Sequence, residues 1–152
     1  LSNGSATRPY DSEGVLTQKK DIIENGILKT YLLDTYAARK LKSKCTGNGV
    51  LTNILVSSKE PVSNLLKTMK DGLYITDMMG SGANLLTGDY SRGAFGYLVK
   101  NGEIQYPVTE ITVASNLLQM FENIISIGDD IDKRNRIRTG SMLIDNITIG
   151  GT

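Results

Sequence analysis

The sequence predicts an α+β domain, mainly an antiparallel β-sheet or barrel-like sandwich, with two or three short helices. Three observations carry that expectation. Two Asn-Gly pairs, Asn25-Gly26 and Asn101-Gly102, each sit between apolar runs. Asn-Gly supplies the two positive φ values of the type I′ turns that join antiparallel strands. Five further short runs are rich in Ile, Val, Leu, Thr or Tyr, residues that suit a pleated surface. Apolar residues recur at full helical spacing in two places.

In chain order, the first hairpin pairs residues 20–23 with 27–31 around Asn25-Gly26. Residues 34–42 form a short helix capped by Asp34. Residues 50–57 form a strand. Val62, Leu65, Leu66 and Met69 then fall at i, i+3, i+4 and i+7, with Pro61 at the first helical position and Asp71-Gly72 as the stop. Strands follow at 73–79 and 85–87. The second hairpin pairs 95–99 with 103–106 around Asn101-Gly102, and Pro107 interrupts or edges its strand because it cannot donate to a ladder. Residues 110–114 are a strand. Leu117, Met120, Phe121 and Ile124 repeat the helical spacing behind a Ser115 or Asn116 cap, and 142–149 is the last strand.

Composition narrows the chemistry. Among 152 residues there is no His and one Cys, and 17 Lys+Arg stand against 16 Asp+Glu. A chain without imidazole builds no Ser-His-Asp or Cys-His-Asn set and no His-ligated metal site of its own. Cys45 alone forms no internal disulfide, which suits a reducing compartment. No apolar run approaches the ~20 residues of a membrane span, and the start does not resemble a signal peptide; a cytoplasmic protein with no membrane partner is expected. A net charge of +1 argues against direct nucleic-acid binding, which needs a clustered cationic face. The one basic cluster, Arg39, Lys40, Lys42 and Lys44, reads as a solvated face. Residues 1–8 read as a linker-like start and 9–152 as one domain, a fragment of a longer chain.

Residues 80–96 stand out, with five glycines mixed with Thr, Asp, Ser and Arg. Gly80, Gly82, Asn84, Thr87, Gly88, Asp89, Ser91 and Arg92 are the candidate substrate-binding set, because Gly lets backbone N–H groups approach a ligand closely. The segment lacks the Gly-Lys-Ser/Thr ending of a phosphate loop and the third glycine of a dinucleotide fingerprint. The competing reading gives these glycines to bulges and bends, with Asp89 and Arg92 as a local ion pair. Asp129, Asp130 and Asp132 are close in sequence but miss the EF-hand spacing, so turn formation and charge pairing are expected. Asp11 and Glu13 read as a loop end, and Cys45 as incidental.

Three blocks together resemble the TldD/PmbA family. They are Gly80-x-Gly82-x-Asn84 with residues 87–93, residues 101–112, and Ile127-Gly128-x-Asp130. Residues 10–15 and the 36–41 and 46–47 blocks fit the PmbA branch, also called TldE, better than the TldD branch. The likeness runs from about Arg8 to Gly150 and implies the C-terminal domain of a bacterial cytosolic protein linked to peptidase activity. Members are described as modulators of DNA gyrase. A TldD–PmbA heterodimer matures a peptide antibiotic and degrades unfolded peptide segments. In the family the zinc-binding His-Glu-x-x-x-His helix lies in the TldD-type N-terminal domain, and a C-terminal Cys completes the site. The position of that Cys falls at Thr139, and a hydroxyl is a poor zinc ligand beside a thiolate. The resemblance therefore implies no metal here and zinc only in a TldD-like partner. This chain would be a non-catalytic structural domain that takes an extended peptide substrate by strand pairing near residues 80–96. Two alternatives stand beside it: a metallopeptidase whose metal site lies in an N-terminal domain, and an anion-binding β module using Arg92 and the glycine amides.

Overall fold

In the computed structural model, which describes residues 4–47, 53–56 and 58–151, both Asn-Gly pairs turn as a type I′ hairpin requires. Asn25 and Gly26 have φ of 51° and 77°, and Asn101 and Gly102 have 52° and 78°. Along the chain the elements are β1 (Ile23–Glu24), β2 (Ile27–Leu28), α1 (Thr35–Lys40), β3 (Ile54–Leu55), α2 (Val62–Met69), β4 (Gly72–Met79) and β5 (Asp89–Lys100). They continue with β6 (Glu103–Asn116), α3 (Leu117–Glu122), β7 (Ile124–Ile127), β8 (Ile137–Arg138), β9 (Met142–Ile144) and β10 (Thr148–Gly150). The class is α+β as expected, and none of the sheets closes into a barrel.

The chain divides into two units, Leu1–Val56 with Asp132–Arg138, and Ser57–Ile131 with Thr139–Thr152. In the first, β1 pairs antiparallel with β2, and β3 pairs parallel with β8. Asp34 caps α1 by accepting the Ala37 amide at 2.7 Å, and the buried residue on that helix is Ala38. Of the strand expected over 50–57, Ile54–Leu55 is observed, and 50–52 and 57 lie outside the described residues.

The second unit is organised by a four-stranded antiparallel sheet in the order β10-β6-β5-β4. Ala94, Ile111 and Val113 are buried at its centre, with Leu73, Ile75, Met78, Tyr90, Val108 and Ile147 packed against them. Fully burying a side chain of the size of Ile or Val is worth about 1.5–3 kcal/mol, so Ile111 and Val113, and Val99 elsewhere on β5, each stabilise the sheet on that order. The long β5–β6 ribbon slips register between Ala94/Gly96 and again between Tyr97/Val99. At both slips β6 carries the extra residue, and Glu110 takes φ of 56° beside the first. Pro107 does not end β6; it pairs with Tyr97. β10 covers only residues 112–114 of β6, so Pro107 lies where β6 has β5 alone as a neighbour, and no second ladder needs its missing N–H.

Four expectations are corrected. Residues 85–87 form a turn, because the Asn84 carboxamide accepts the amides of Leu86 (3.0 Å) and Thr87 (3.3 Å) and closes the chain locally. Pro61 sits one residue outside α2, with φ −60° and ψ 140°. Ile124 belongs to β7, paired with Ile144, and α3 stops at Glu122 behind its Asn116 cap, which accepts from Leu118. The run at 142–149 splits into β9 and β10 at Asn146, whose φ is 55°. The strand β5 begins at Asp89, so the second half of the glycine-rich segment is sheet.

Candidate functional site

The glycine-rich segment folds back on β5. Gly82 lies so close to the Ser91 carbonyl that any side chain would collide with it, and its own carbonyl accepts the Ser91 amide at 2.8 Å. Ala83 bridges to Tyr90, and the Asn84 amide donates to the Asp89 carbonyl at 2.8 Å. Residues 82–84 thus extend the sheet beyond the end of β4, on the same side of β5. The turn is then closed by Gly88 N–H to Asn84 C=O at 2.8 Å and by Thr87 Oγ1 donating to Asp89 Oδ2 at 2.6 Å. Asn116 donates to the Thr87 carbonyl at 3.1 Å, and Leu117 N–H to the Gly88 carbonyl at 2.7 Å. Gly88, at φ +80°, lies against the Asn116 side chain, whereas Gly80, at φ +73°, has open space where a side chain would go.

Of the eight candidate residues, Gly82, Asn84, Asp89 and Ser91 line one recess of about 470 Å³ together with Ser81 and Ser115. Thr87 and Gly88 form the adjoining turn, and Gly80 precedes it. Arg92 is elsewhere. Its Nε and Nη2 donate to the carbonyls of Met79 (3.2 Å) and Met78 (2.9 Å). The expected Asp89–Arg92 ion pair is not formed: three residues apart on a strand, the two side chains leave opposite faces. With the guanidinium committed to carbonyls and the amides of Asn84, Gly88 and Ser91 already donated, the segment offers an anion few donors.

A second cavity of about 530 Å³ lies beside α2 and β4. All four residues of the α2 stripe, Val62, Leu65, Leu66 and Met69, line it, and β9 supplies Met142, Leu143 and Ile144. The helical spacing shows that these positions are apolar. It does not show that they border a cavity, and the β9 wall has no sequence signal beyond its apolar run.

Around Thr139 the chain is held by Asp130, whose carboxylate accepts both the Ser141 amide (2.8 Å) and the Ser141 hydroxyl (2.7 Å). Partial desolvation opposes ionisation there, but the Ser141 bonds outweigh it and hold the Asp130 carboxyl below the usual range. Gly140 is pressed against the Gly128 carbonyl, and the Gly128 amide donates to Ser141 C=O at 2.7 Å. Thr139 Oγ1 donates to the Gly140 carbonyl at 3.1 Å. A hydroxyl so placed is a poor zinc ligand beside a thiolate, and the nearby Asp130 carboxylate is engaged by Ser141. Among the described residues no three of His, Cys, Asp and Glu are grouped to hold a metal ion.

Asp132, Asp11 and Glu13 are each hydrogen-bonded. Asp132 pairs with Arg134, at 2.9 Å to Nε and 3.0 Å to Nη2. The Arg134 bonds hold its carboxyl at about 2. Asp11 accepts the Glu13 and Val15 amides, and Glu13 accepts the amide and hydroxyl of Thr35. Cys45 is free and half-buried. No helix among the described residues is long and apolar enough to cross a membrane.

Comparison with known proteins places this arrangement in a family. The chain is 49% identical over 154 residues to a protein of Buchnera aphidicola (subspecies Baizongia pistaciae) named a metalloprotease PmbA homolog, covering 99% of this chain and 34% of that protein. It is 50% identical over 149 residues to the Haemophilus influenzae protein of the same name, covering 96% and 33%. The chain therefore spans about a third of the length of these relatives. A solved structure from Thermotoga maritima, described as a candidate modulator of a DNA gyrase, superposes with a TM-score of 0.88 at 35% identity, covering 97% of this chain and 36% of that one. The model of the PmbA/TldA metallopeptidase C-terminal domain matches residues 1–151, and the chain belongs to that family.

Proposed function

We propose that this chain is the non-catalytic structural and substrate-binding domain of a PmbA-like subunit, acting in the cytoplasm with a TldD-like subunit that holds the catalytic zinc. The observation that carries this reading is the pairing of metalloprotease relatives with a sequence that has no His. Thr139, where the resemblance puts the family's Cys ligand, donates to the carbonyl of its neighbour Gly140. The substrate is an extended, unfolded peptide segment. β4 is an outer strand of its sheet, and residues 82–84 continue that edge past the recess lined by Asn84, Asp89 and Ser91. Main-chain pairing along such an edge captures a peptide with little demand on its sequence, which suits a complex that degrades unfolded segments or matures a peptide antibiotic.

The test uses the full-length parent. Mixed with a TldD-like subunit, it should co-elute in size-exclusion chromatography, and the mixture should cleave an unfolded peptide that the parent alone leaves intact. Cleavage by the purified parent alone would overturn the reading in favour of a metal site elsewhere in the same subunit. Substituting Ser91→Trp, which fills the recess, should weaken peptide capture by the complex at least tenfold without dissociating it.

A further inference from the structure

We infer that Asn25 is a spontaneous modification site, converting to aspartate and isoaspartate through its own backbone, while Asn101, in the same dipeptide and the same kind of turn, is held against that reaction. In an Asn-Gly pair the glycine amide nitrogen, once deprotonated, attacks the asparagine side-chain carbonyl carbon. The new N–Cγ bond closes a succinimide ring, the Cγ–Nδ2 bond breaks, and the side-chain nitrogen leaves as ammonia. Water then opens one of the two imide C–N bonds, at Cγ to give aspartate or at the backbone carbonyl to give isoaspartate. The sum is asparagine plus water giving the acid plus ammonia, with no oxidant, metal or enzyme. Glycine favours the attack because no Cβ shields its nitrogen.

Ring closure needs a free glycine amide and an opened turn. Asn25 and Asn101 both sit in the left-handed region, at φ 51° and 52°, where the following nitrogen points away from the residue's own Cβ. At the second turn both amides are engaged: Gly102 N–H donates to the Lys70 carbonyl at 2.8 Å and Asn101 N–H to Asp71 Oδ1 at 3.0 Å. Val99, fully buried, pairs with Ile104 directly behind that turn. Opening it breaks both bonds and draws a buried side chain toward water. At the first turn neither the Asn25 nor the Gly26 amide makes a hydrogen bond among the described residues. The ladder behind it consists of Ile23 with Leu28 and Glu24 with Ile27, all exposed, and among the described residues it joins no other strand. An isolated two-stranded hairpin is marginal in water, so this turn opens from the low end of the local stability range and the β5–β6 turn from the high end.

The products change the hairpin. Either one puts a new carboxylate beside Glu24, which already pairs with Lys29 at 3.4 Å. Isoaspartate also routes the main chain through Cβ, adding a methylene to the loop, so the two-residue type I′ turn no longer fits. Conversion at Asn25 therefore releases β1 from β2, slowly and irreversibly, and leaves the β5–β6 ribbon intact.

The test uses the full-length parent, held at mildly alkaline pH and followed by peptide mapping that separates asparagine, aspartate and isoaspartate at each position. In the folded protein Asn25 should convert at least ~10-fold faster than Asn101. In urea, where neither turn persists, the two rates should agree within about threefold, since the dipeptide is the same. Hydrogen exchange on the isoaspartate fraction should find β1–β2 unprotected and β5–β6 unchanged. Equal rates in the folded protein, faster conversion at Asn101, a tenfold difference that persists in urea, or an isoaspartate form with an intact β1–β2 hairpin overturns the proposal. Asn3 and Asn48 also precede glycines; they lie outside the described residues and enter neither side of the comparison. None of these readouts depends on a TldD-like subunit or on peptide cleavage.

Discussion

The two Asn-Gly turns offer a matched pair in which backbone strain and tertiary contact are separable. Gly26 and Gly102 share nearly the same φ, 77° and 78°. Around Gly26 a Cβ would meet nothing within 4 Å, whereas at Gly102 it would meet Lys67 Cα at 3.0 Å and the Leu66 carbonyl at 3.3 Å. An L-residue in the left-handed region costs about 1–2 kcal/mol. Replacing Gly by Ala returns about 0.4–1 kcal/mol by stiffening the unfolded chain. Gly26→Ala should therefore cost about 0.5–1 kcal/mol. Gly102→Ala carries the same net strain, plus about 1–3 kcal/mol for crowding a packed surface, because the turn is also held by its N–H on the Lys70 carbonyl and by Asn101 N–H on Asp71. A total of about 1.5–4 kcal/mol follows.

Native-state hydrogen exchange reads each turn in its own unit. At 1.4 kcal/mol per tenfold, exchange in the β5–β6 hairpin should rise at least ~10-fold in Gly102→Ala. In the β1–β2 hairpin it should rise about two- to fivefold in Gly26→Ala. Equal responses would refute the contact between the β5–β6 turn and α2. No response at either would refute the type I′ geometry.

Asn116→Ala removes both the α3 cap and the bond to Thr87, so it should cost about 1–2 kcal/mol and speed exchange at Gly88 and Leu117. The Asp130 carboxyl is depressed in the folded state, so its contribution is complete above the unfolded value near ~3.9 and is lost as pH falls through the lower folded value. The 139–141 segment should loosen in that acid window, and Asp130→Asn should remove the pH dependence at a cost of about 1 kcal/mol. Metal analysis of the chain after dialysis against chelator should give no stoichiometric zinc, and a retained equivalent would overturn the assignment of Thr139.

What the sequence made legible was the chemistry that acts over a few residues. Asn-Gly fixes its turn whatever surrounds it, Asp34 and Asn116 cap helices with their own side chains, and the spacing of Val62, Leu65, Leu66 and Met69 declares a helix face. The missed features depend on distant partners. Ile124 fits the α3 spacing as well as it fits a strand, and the Ile144 backbone decides between them. Leu85-Leu86-Thr87 looks like a strand until Asn84 takes its amides. The start of β5 was hidden because glycine has little strand preference. The glycines of the 80–96 segment serve close approach, Gly96 fitting against the Tyr74 carbonyl and Gly82 against Ser91. The structural reading of those glycines therefore has direct support in the packing. Only Gly80 keeps open space, and the recess is shaped mainly by Asn84, Asp89 and the serines.

The slip in β4 between Ile75 and Asp77 bears on how far anything can grow from that edge. A flat outer strand of eight residues would be an open template for chain after chain, the route to fibres. Thr76 stands out of register and breaks the template into stretches of about four residues and three. A guest strand can be gripped over one stretch, but the bulge denies it the continuous ladder that would let a second molecule follow. The same irregularity thus discourages the domain from becoming a seed for aggregation.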